Sequence, residues 1–218
     1  MSTRPFQLRT LTIGDDPATW VAAGFMVDGG TIRVGNTMIS LVGTDRGRGI
    51  LTANVDGLAG RIDGMPFDGT QPDPAEPVPV HANGVIALDH LVAMSPDMDR
   101  TTEALSLSGL EPRRTRTFDA GGSTRRQCFF WMGDVILELA GDDDAHGDGP
   151  ALLWGLAFTC ADLDESARRL GERLGPAKPA VQKAREIATL RTKELDISVP
   201  IVLMSPHPDD DAPEPADA

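Results

Sequence analysis

The chain has 218 residues and 40% hydrophobic residues, enough for one domain or two small ones with a real core, which excludes global disorder. Its net charge of −13 is unevenly placed, with five acids in the tail "PHPDDDAPEPADA" (206–218) and four in "GDDDAHGDG" (141–149), no base in either. The rest of the chain carries only −4, so bulk charge gives no basis for a nucleic-acid partner. No apolar run approaches the ~20 residues of a membrane helix, and "MSTRPFQLRTLTIG" has no signal-peptide core. No membrane association and a cytoplasmic location are the resulting expectations. The two cysteines, Cys128 and Cys160, lie in separate apolar runs and offer neither a metal spacing nor a disulfide framework.

In chain order, residues 1–60 form a strand-rich N-terminal module. "FQLRTLTIG" reads as a strand, "DDPATWVAAGF" as a short helix, and "TIRVG", "TMISLVG" and "GILTANV" as three further strands, with Gly35-Asn36 at a turn. This layout fits a degenerate βαβββ unit. Residues 61–84 are rich in Pro and Gly, lack periodicity, and read as a surface linker.

The segment 85–140 has clearer signals. "VIALDHLVAM" is strand-like. Ser95 or Asp97 can cap the following helix, whose Met98, Thr101, Thr102 and Leu105 recur at helical spacing, and Gly109 is its stop. Then come strand-like pieces at 111–118, 125–132 and 135–140, the last two joined by a two-residue turn at Gly133-Asp134. Residues 141–150 are an acidic loop, read as solvated chain. The order then repeats over 151–205. "ALLWGLAFTC" is a strand. "ADLDESARRLGERLG" is a helix with Leu163, Ala167, Leu170 and Leu174 on one face. "EIATLRT" and "ISVPIVLMS" are strands, and a further short strand falls within 177–184. Pro200 points to an edge or a bulge. Residues 206–218 read as a disordered acidic tail.

A strand, a helix and three strands make a βαβββ module. Two such modules side by side curl into a cup whose interior suits a small-molecule ligand. The expected class is α+β: paired βαβββ modules forming a cupped sheet, with the N-terminal module added. An odd third module would leave a sheet face or edge unpaired, which favours a homodimer.

"LDHLVAMSPDMDRTTEAL…SGLE", followed about 45 residues later by "VILELAG", resembles the vicinal oxygen chelate superfamily, the glyoxalase and extradiol-dioxygenase relatives. "WGLAFTCADLDESARRLGERLG" is similar to that superfamily's second module, and "VQKAREIATLR" to a motif of a glyoxalase-like branch. The resemblance covers about 85–205. It implies that the first and last strands of a module each give a ligand, here His90 and Glu138, as a metal pair or as catalytic residues. Imidazole plus carboxylate suits Zn, Ni, Mn or Fe(II). In the second module the matching positions read Gly155 or a neighbour, and Val202 to Met204, none of which ligates hard metals. The implied metal set is therefore incomplete.

Glu138 is the oddity of its apolar strand, since burying a carboxylate raises its pKa or demands a partner. Arg185, Gln182 and Thr189 in the glyoxalase-like motif, and Trp154 beside the opening strand of the second module, are the candidate substrate-binding residues. Arg113, Arg114, Arg116, Arg125 and Arg126 read as solvated strand positions or, alternatively, as an anion site. The functional expectation is a glyoxalase-like enzyme, isomerase or lyase in type, with Glu138 moving a proton next to a carbonyl. The alternative is a metal-free small-molecule binding or sequestering protein of the same fold.

Overall fold

The computed structural model describes residues 6–69, 78–182 and 184–207. The expected disorder of the acidic tail concerns residues that, from 208 onward, lie outside the described ones. Two sheets are present. The C-terminal one has eight strands. The first module supplies β7 (Val85–Met94), α2 (Met98–Leu107), β8 (Arg114–Ala120), β9 (Ser123–Met132) and β10 (Val135–Asp142). The second supplies β11 (Leu152–Cys160), α3 (Leu163–Leu170), β12 (Lys178–Pro179), β13 (Glu186–Thr189) and β14 (Ile201–Met204). Strand order is β12-β13-β14-β11-β7-β10-β9-β8, so two βαβββ modules meet at the antiparallel β7–β11 junction. In each, the last strand runs parallel to the first, as β7–β10 and β11–β14.

The local chemistry of these elements follows the sequence. Asp97 caps α2 and Asp162 caps α3, each accepting a backbone N–H with its side chain. Gly109, at φ +87°, follows α2 in the left-handed region that stops a helix. The Gly133-Asp134 turn sets the β9–β10 register at Met132↔Val135, and hence every later pair of that hairpin. α3 is shorter than its apolar spacing suggests, because Gly171, at φ +57°, turns the chain into a single 3₁₀ turn (Gly171–Arg173).

The N-terminal residues form a second sheet of six strands: β1 (Leu8–Ile13), β2 (Thr31–Val34), β3 (Thr37–Leu41), β4 (Ile50–Val55), β5 (Gly60–Ile62) and β6 (Met65–Asp68), with α1 (Pro17–Ala22) after β1. Its order, β2-β3-β1-β4-β6-β5, repeats the larger sheet at reduced size. β1 and β4 meet antiparallel, and each is joined in parallel by the last strand of its own unit, β3 or β6. Two corrections follow. The sheet does not end near residue 60, and the stretch beginning at 61 is not all linker, since β5 runs to Ile62 and β6 follows. Strands of three and four residues around the Asp63-Gly64 turn are too short to show periodicity.

The small sheet covers the convex back of the large one. Phe25 packs against Phe158 with ring centroids 5.3 Å apart, and residues of both sheets share one core. Polar ties reinforce it. The buried Asp15 accepts from Trp20 Nε1 and from the Ser198 backbone, each at 3.1 Å. Asp63 holds Arg100 of α2 at 2.8 Å. The back of the large sheet is thus covered within one chain, so an uncovered odd module no longer argues for a homodimer. The acidic loop is also not free chain. Arg100 donates to the carbonyls of Gly147 and Gly149 at 2.7 and 2.6 Å, and Arg126 pairs with Asp143 and Asp99. Among the described residues no helix is long and apolar enough to cross a membrane.

His81 fastens the chain between the sheets. Its Nδ1 accepts the Met26 N–H at 3.0 Å, so Nε2 carries the proton given to the Arg33 carbonyl at 2.8 Å. Only the neutral ring can make both bonds, and burial pushes its pKa down against the opposing effect of the Arg33 carbonyl. A lowered histidine pKa gives stability that is complete above the unfolded value of about 6.5 and lost as pH falls below it. His81→Phe is expected to cost about 1–3 kcal/mol at pH 7.5 by orphaning two backbone groups. Its urea stability should change less between pH 7.5 and 5.5 than that of the wild type; an equal slope would rule out His81 as the titrating group.

Candidate functional site in the cup

β9 and β10 alternate cleanly along their shared pairs, and this decides what they turn towards the cup. On β10, Val135, Leu137 and Leu139 are buried on the helix-covered back, while Ile136, Glu138 and Ala140 face the concave side. On β9, Cys128, Phe130 and Met132 go to the back, and Gln127, Phe129 and Trp131 to the cup. β10 pairs with β7 at Ile136↔His90 and Glu138↔Val92, so His90 and Glu138 are diagonal neighbours on the concave face.

Asp89 would point away from His90 in a regular strand. It does not, because the β7–β11 register shifts between Leu88↔Phe158 and His90↔Ala157, leaving Asp89 as the extra residue of a β-bulge. The bulge brings both side chains to the same side, and Asp89 Oδ1 lies 2.5 Å from His90 Nδ1. Asp89 Oδ2 accepts from Arg185 Nη2 at 2.6 Å and from Thr159 Oγ1 at 2.8 Å. Burial alone would raise the Asp89 pKa. The hydrogen bond and charge of His90, then those of Arg185, outweigh it and hold the carboxyl well below the usual carboxylate range.

With Nδ1 committed to Asp89, the ring's other nitrogen is the free one. Among the described residues no hydrogen bond reaches His90 Nε2 and no fully sealed polar side-chain atom lacks a partner, so in this largely buried histidine Nε2 is the atom that reaches the surface of the cup. Glu138 receives a hydrogen bond from Gln127 Nε2 on one oxygen, and Gln127 in turn accepts from Arg116 Nε at 2.5 Å. Burial pushes the Glu138 pKa up, against the lowering charges of His90 and Arg116 and the Gln127 hydrogen bond.

The predicted site residues divide. His90 and Glu138 share one patch. Arg185 reaches it only through Asp89. The residue is 3% exposed, and its guanidinium also donates to the Ser205 carbonyl at 2.9 Å and Gln182 Oε1 at 2.6 Å. It therefore anchors Asp89 and is not free to hold a substrate anion, and Gln182 serves Arg185. Thr189 pairs with Val202 on the far wall. Trp154, 48% exposed, falls between Leu153↔Ala93 and Gly155↔Val92 as the extra residue of a second bulge. Asp89, Thr159 and Gln127 were not anticipated. Gln127 was within reach of the sequence, because the hairpin turn fixes Ala140↔Gln127, diagonal to Glu138. The bulge that recruits Asp89 leaves no mark in the alternation of "ALDHLVAM".

The second module's matching positions can now be named. His90 pairs with Ala157 across the junction. β10 places Ile136 beside His90, as β14 places Val202 beside Ala157, so Met204 matches Glu138. One half of the cup floor carries imidazole and carboxylate, and the other carries Ala157, Val202 and Met204. Among the described residues no three His, Cys, Asp or Glu side chains are grouped to hold a metal ion. Two donors, His90 through Nε2 and Glu138, fall short of the three protein ligands that a catalytic divalent metal generally takes, while the Asp89 contact at Nδ1 is one that a metal-binding histidine commonly makes. Two surface hollows, of about 510 and 460 Å³, flank α3 on the outer side and include neither Glu138 nor His90.

No family model matches the chain, and no curated protein matches it. Solved structures do. A variant of 4-hydroxymandelate synthase from Streptomyces coelicolor superposes with a TM-score of 0.61 over 93% of this chain and 93% of its own, at 13% identity. Methylmalonyl-CoA epimerase from Mycobacterium tuberculosis gives a TM-score of 0.46 at 21% identity, covering 58% of this chain and 91% of that one.

Two predictions test the geometry. Asp89→Ala removes the counter-ion of a buried guanidinium and is expected to cost about 3–5 kcal/mol at pH 7 in denaturant unfolding. Because a depressed carboxylate pKa gives stability that is present above about pH 4 and lost below it, the penalty should shrink at pH 3. For Glu138 the sign reverses. A raised folded pKa means stability lost as pH climbs from about 4 through the folded value, so Glu138→Gln should gain thermal stability over wild type on going from pH 4 to 8. A constant difference across that range would contradict it. With its two βαβββ modules joined edge to edge around a concave face, the chain has the fold of the vicinal oxygen chelate superfamily.

Proposed function

We propose that the protein is a glyoxalase-like enzyme that moves a proton on the carbon next to a carbonyl of a small molecule bound in the cup, an isomerase- or lyase-type reaction. The observation that carries this is the pairing on one concave face of a carboxyl with raised pKa, Glu138, and a histidine fixed through Nδ1 by Asp89 with Nε2 open. A carboxylic acid tuned upward by burial is suited to exchange protons near neutral pH. The Glu138 oxygen not held by Gln127 takes the C–H proton, and the C–H electron pair becomes the C=C bond of an enolate as the carbonyl electrons move to oxygen. His90 returns or relays the proton on the neighbouring position. No step requires a metal.

A second reading rests on the other half of the floor. Ala157, Val202 and Met204 can cover a ligand's apolar body but bring no chemistry, as in a metal-free binding or sequestering protein. The test is solvent exchange. Oxaloacetate, 2-oxobutyrate, dihydroxyacetone and an acetoacetyl thioester are incubated with the protein in D₂O, and the C–H signals next to the carbonyl are followed by NMR. Protein-dependent exchange of at least one compound, slowed about 100-fold or more by Glu138→Gln, is expected. Exchange that is equal in both proteins would eliminate Glu138 as the base. Thermal stabilisation without exchange would favour the binding protein.

A further inference from the structure

The β8–β9 wall of the cup carries a row of cations that the Glu138 reading does not use. Register puts Arg114 opposite Phe129, Arg116 opposite Gln127 and Phe118 opposite Arg125. Thr115, between the first two, reaches the back-facing Cys128 Sγ, so Arg114 and Arg116 face the cup with Gln127 and Phe129. Arg126 is on the other face, where Asp99 and Asp143 neutralise it. Among the described residues the cup-facing arginines form no ion pair of this kind, and Arg116 acts on Glu138 only as a nearby charge. Among the described residues Arg114 and Arg125 make no side-chain hydrogen bond or ion pair, although Asp142 stands opposite Arg125 in register.

Arg116 is oriented. Its Nε is held by Gln127 Oε1 and its guanidinium lies 4.7 Å from the Phe118 ring centroid. Among the described residues its two terminal nitrogens have no hydrogen-bond partner, and a planar fork held in this way suits a two-point contact with a carboxylate or phosphate. The carboxylate nearest along the chain of hydrogen bonds is Glu138, already engaged by Gln127. Phe129, half-buried, stands between Arg114 and Glu138 on this wall, and Trp131, also half-buried, continues the apolar surface beside Ile136 towards His90.

We propose that this wall is an oxyanion subsite, and that the ligand of the cup is a small organic acid. Its carboxylate or phosphate group takes the terminal N–H groups of Arg116, flanked by Arg114 and Arg125. Its carbon body lies over Phe129 and Trp131 and brings the adjoining carbon towards Glu138. This deepens the proton-transfer reading by naming the substrate class, but binding can be measured without turnover.

The probes are phenyl phosphate, phenylacetate and the neutral phenylacetamide, titrated calorimetrically at 50 and 300 mM NaCl. At least one of the two anions should bind at least tenfold more tightly than the amide and weaken at higher salt, and which one binds better distinguishes phosphate from carboxylate. Arg116→Gln, checked for folding by circular dichroism and Tm, should weaken anion binding tenfold or more. Arg114→Gln should weaken it less, and Arg168→Gln, on exposed α3, should leave it unchanged. Glu138→Gln should retain or tighten anion binding even where it abolishes exchange, which separates this subsite from the base. Equal affinity for amide and anions, no anion binding at millimolar concentration, or unchanged binding in folded Arg116→Gln would overturn the proposal.

Discussion

The cup depends on the carboxylate of Asp89. One oxygen takes His90 from its own strand, and the other takes Arg185 and Thr159 from the second module. A buried guanidinium is tolerated only with a counter-ion and with its remaining N–H groups satisfied, and Arg185 meets both conditions through Asp89, Gln182 and the Ser205 carbonyl. The same carboxylate fixes which histidine nitrogen is free. One ionic contact therefore ties the two modules together and orients the ring that faces the ligand space.

This arrangement makes the floor chemically one-sided. The two modules are related across the β7–β11 junction, and a symmetrical site would present two imidazoles and two carboxylates. Here the second module presents Ala157 and Met204, and its polar investment has moved to Thr159 and Arg185, which brace the first. The half that carries His90 gains a rigid histidine, and the opposite half gains an apolar surface. Chemistry of proton transfer at one end and packing at the other is the combination this floor can support. The charged β8–β9 wall adds Arg114, Arg116 and Arg125 to the concave side, residues that the core does not need.

Much of this was legible in the sequence. The module order, the helix caps at Asp97 and Asp162, and the β9–β10 register follow from local rules: a capping carboxylate, a glycine stop, a two-residue turn. Glu138 stood out because a carboxylate in an apolar strand needs a reason to be there, and His90 entered through the resemblance to the vicinal oxygen chelate superfamily. What was not legible depends on register irregularity and on tertiary pairing. The bulge at Asp89 makes neighbours of two side chains that alternation would separate. Arg185 gives no sign in "VQKAREIATLR" that its partners lie on β7 and β11 and in the backbone after β14. β5 and β6 are too short to produce a period, and the acidic loop is ordered by Arg100 and Arg126, which lie on other elements.

The central claim is that Glu138 and His90 form one electrostatically coupled pair on the concave face. It is tested most directly by following the side-chain carboxyl carbon of Glu138 by NMR from pH 3 to 9, in the wild type and in His90→Ala. The account predicts a wild-type midpoint above the usual glutamate range, moving higher in His90→Ala as the neighbouring positive charge is lost. A midpoint within the ordinary range, and the same in both proteins, would contradict it.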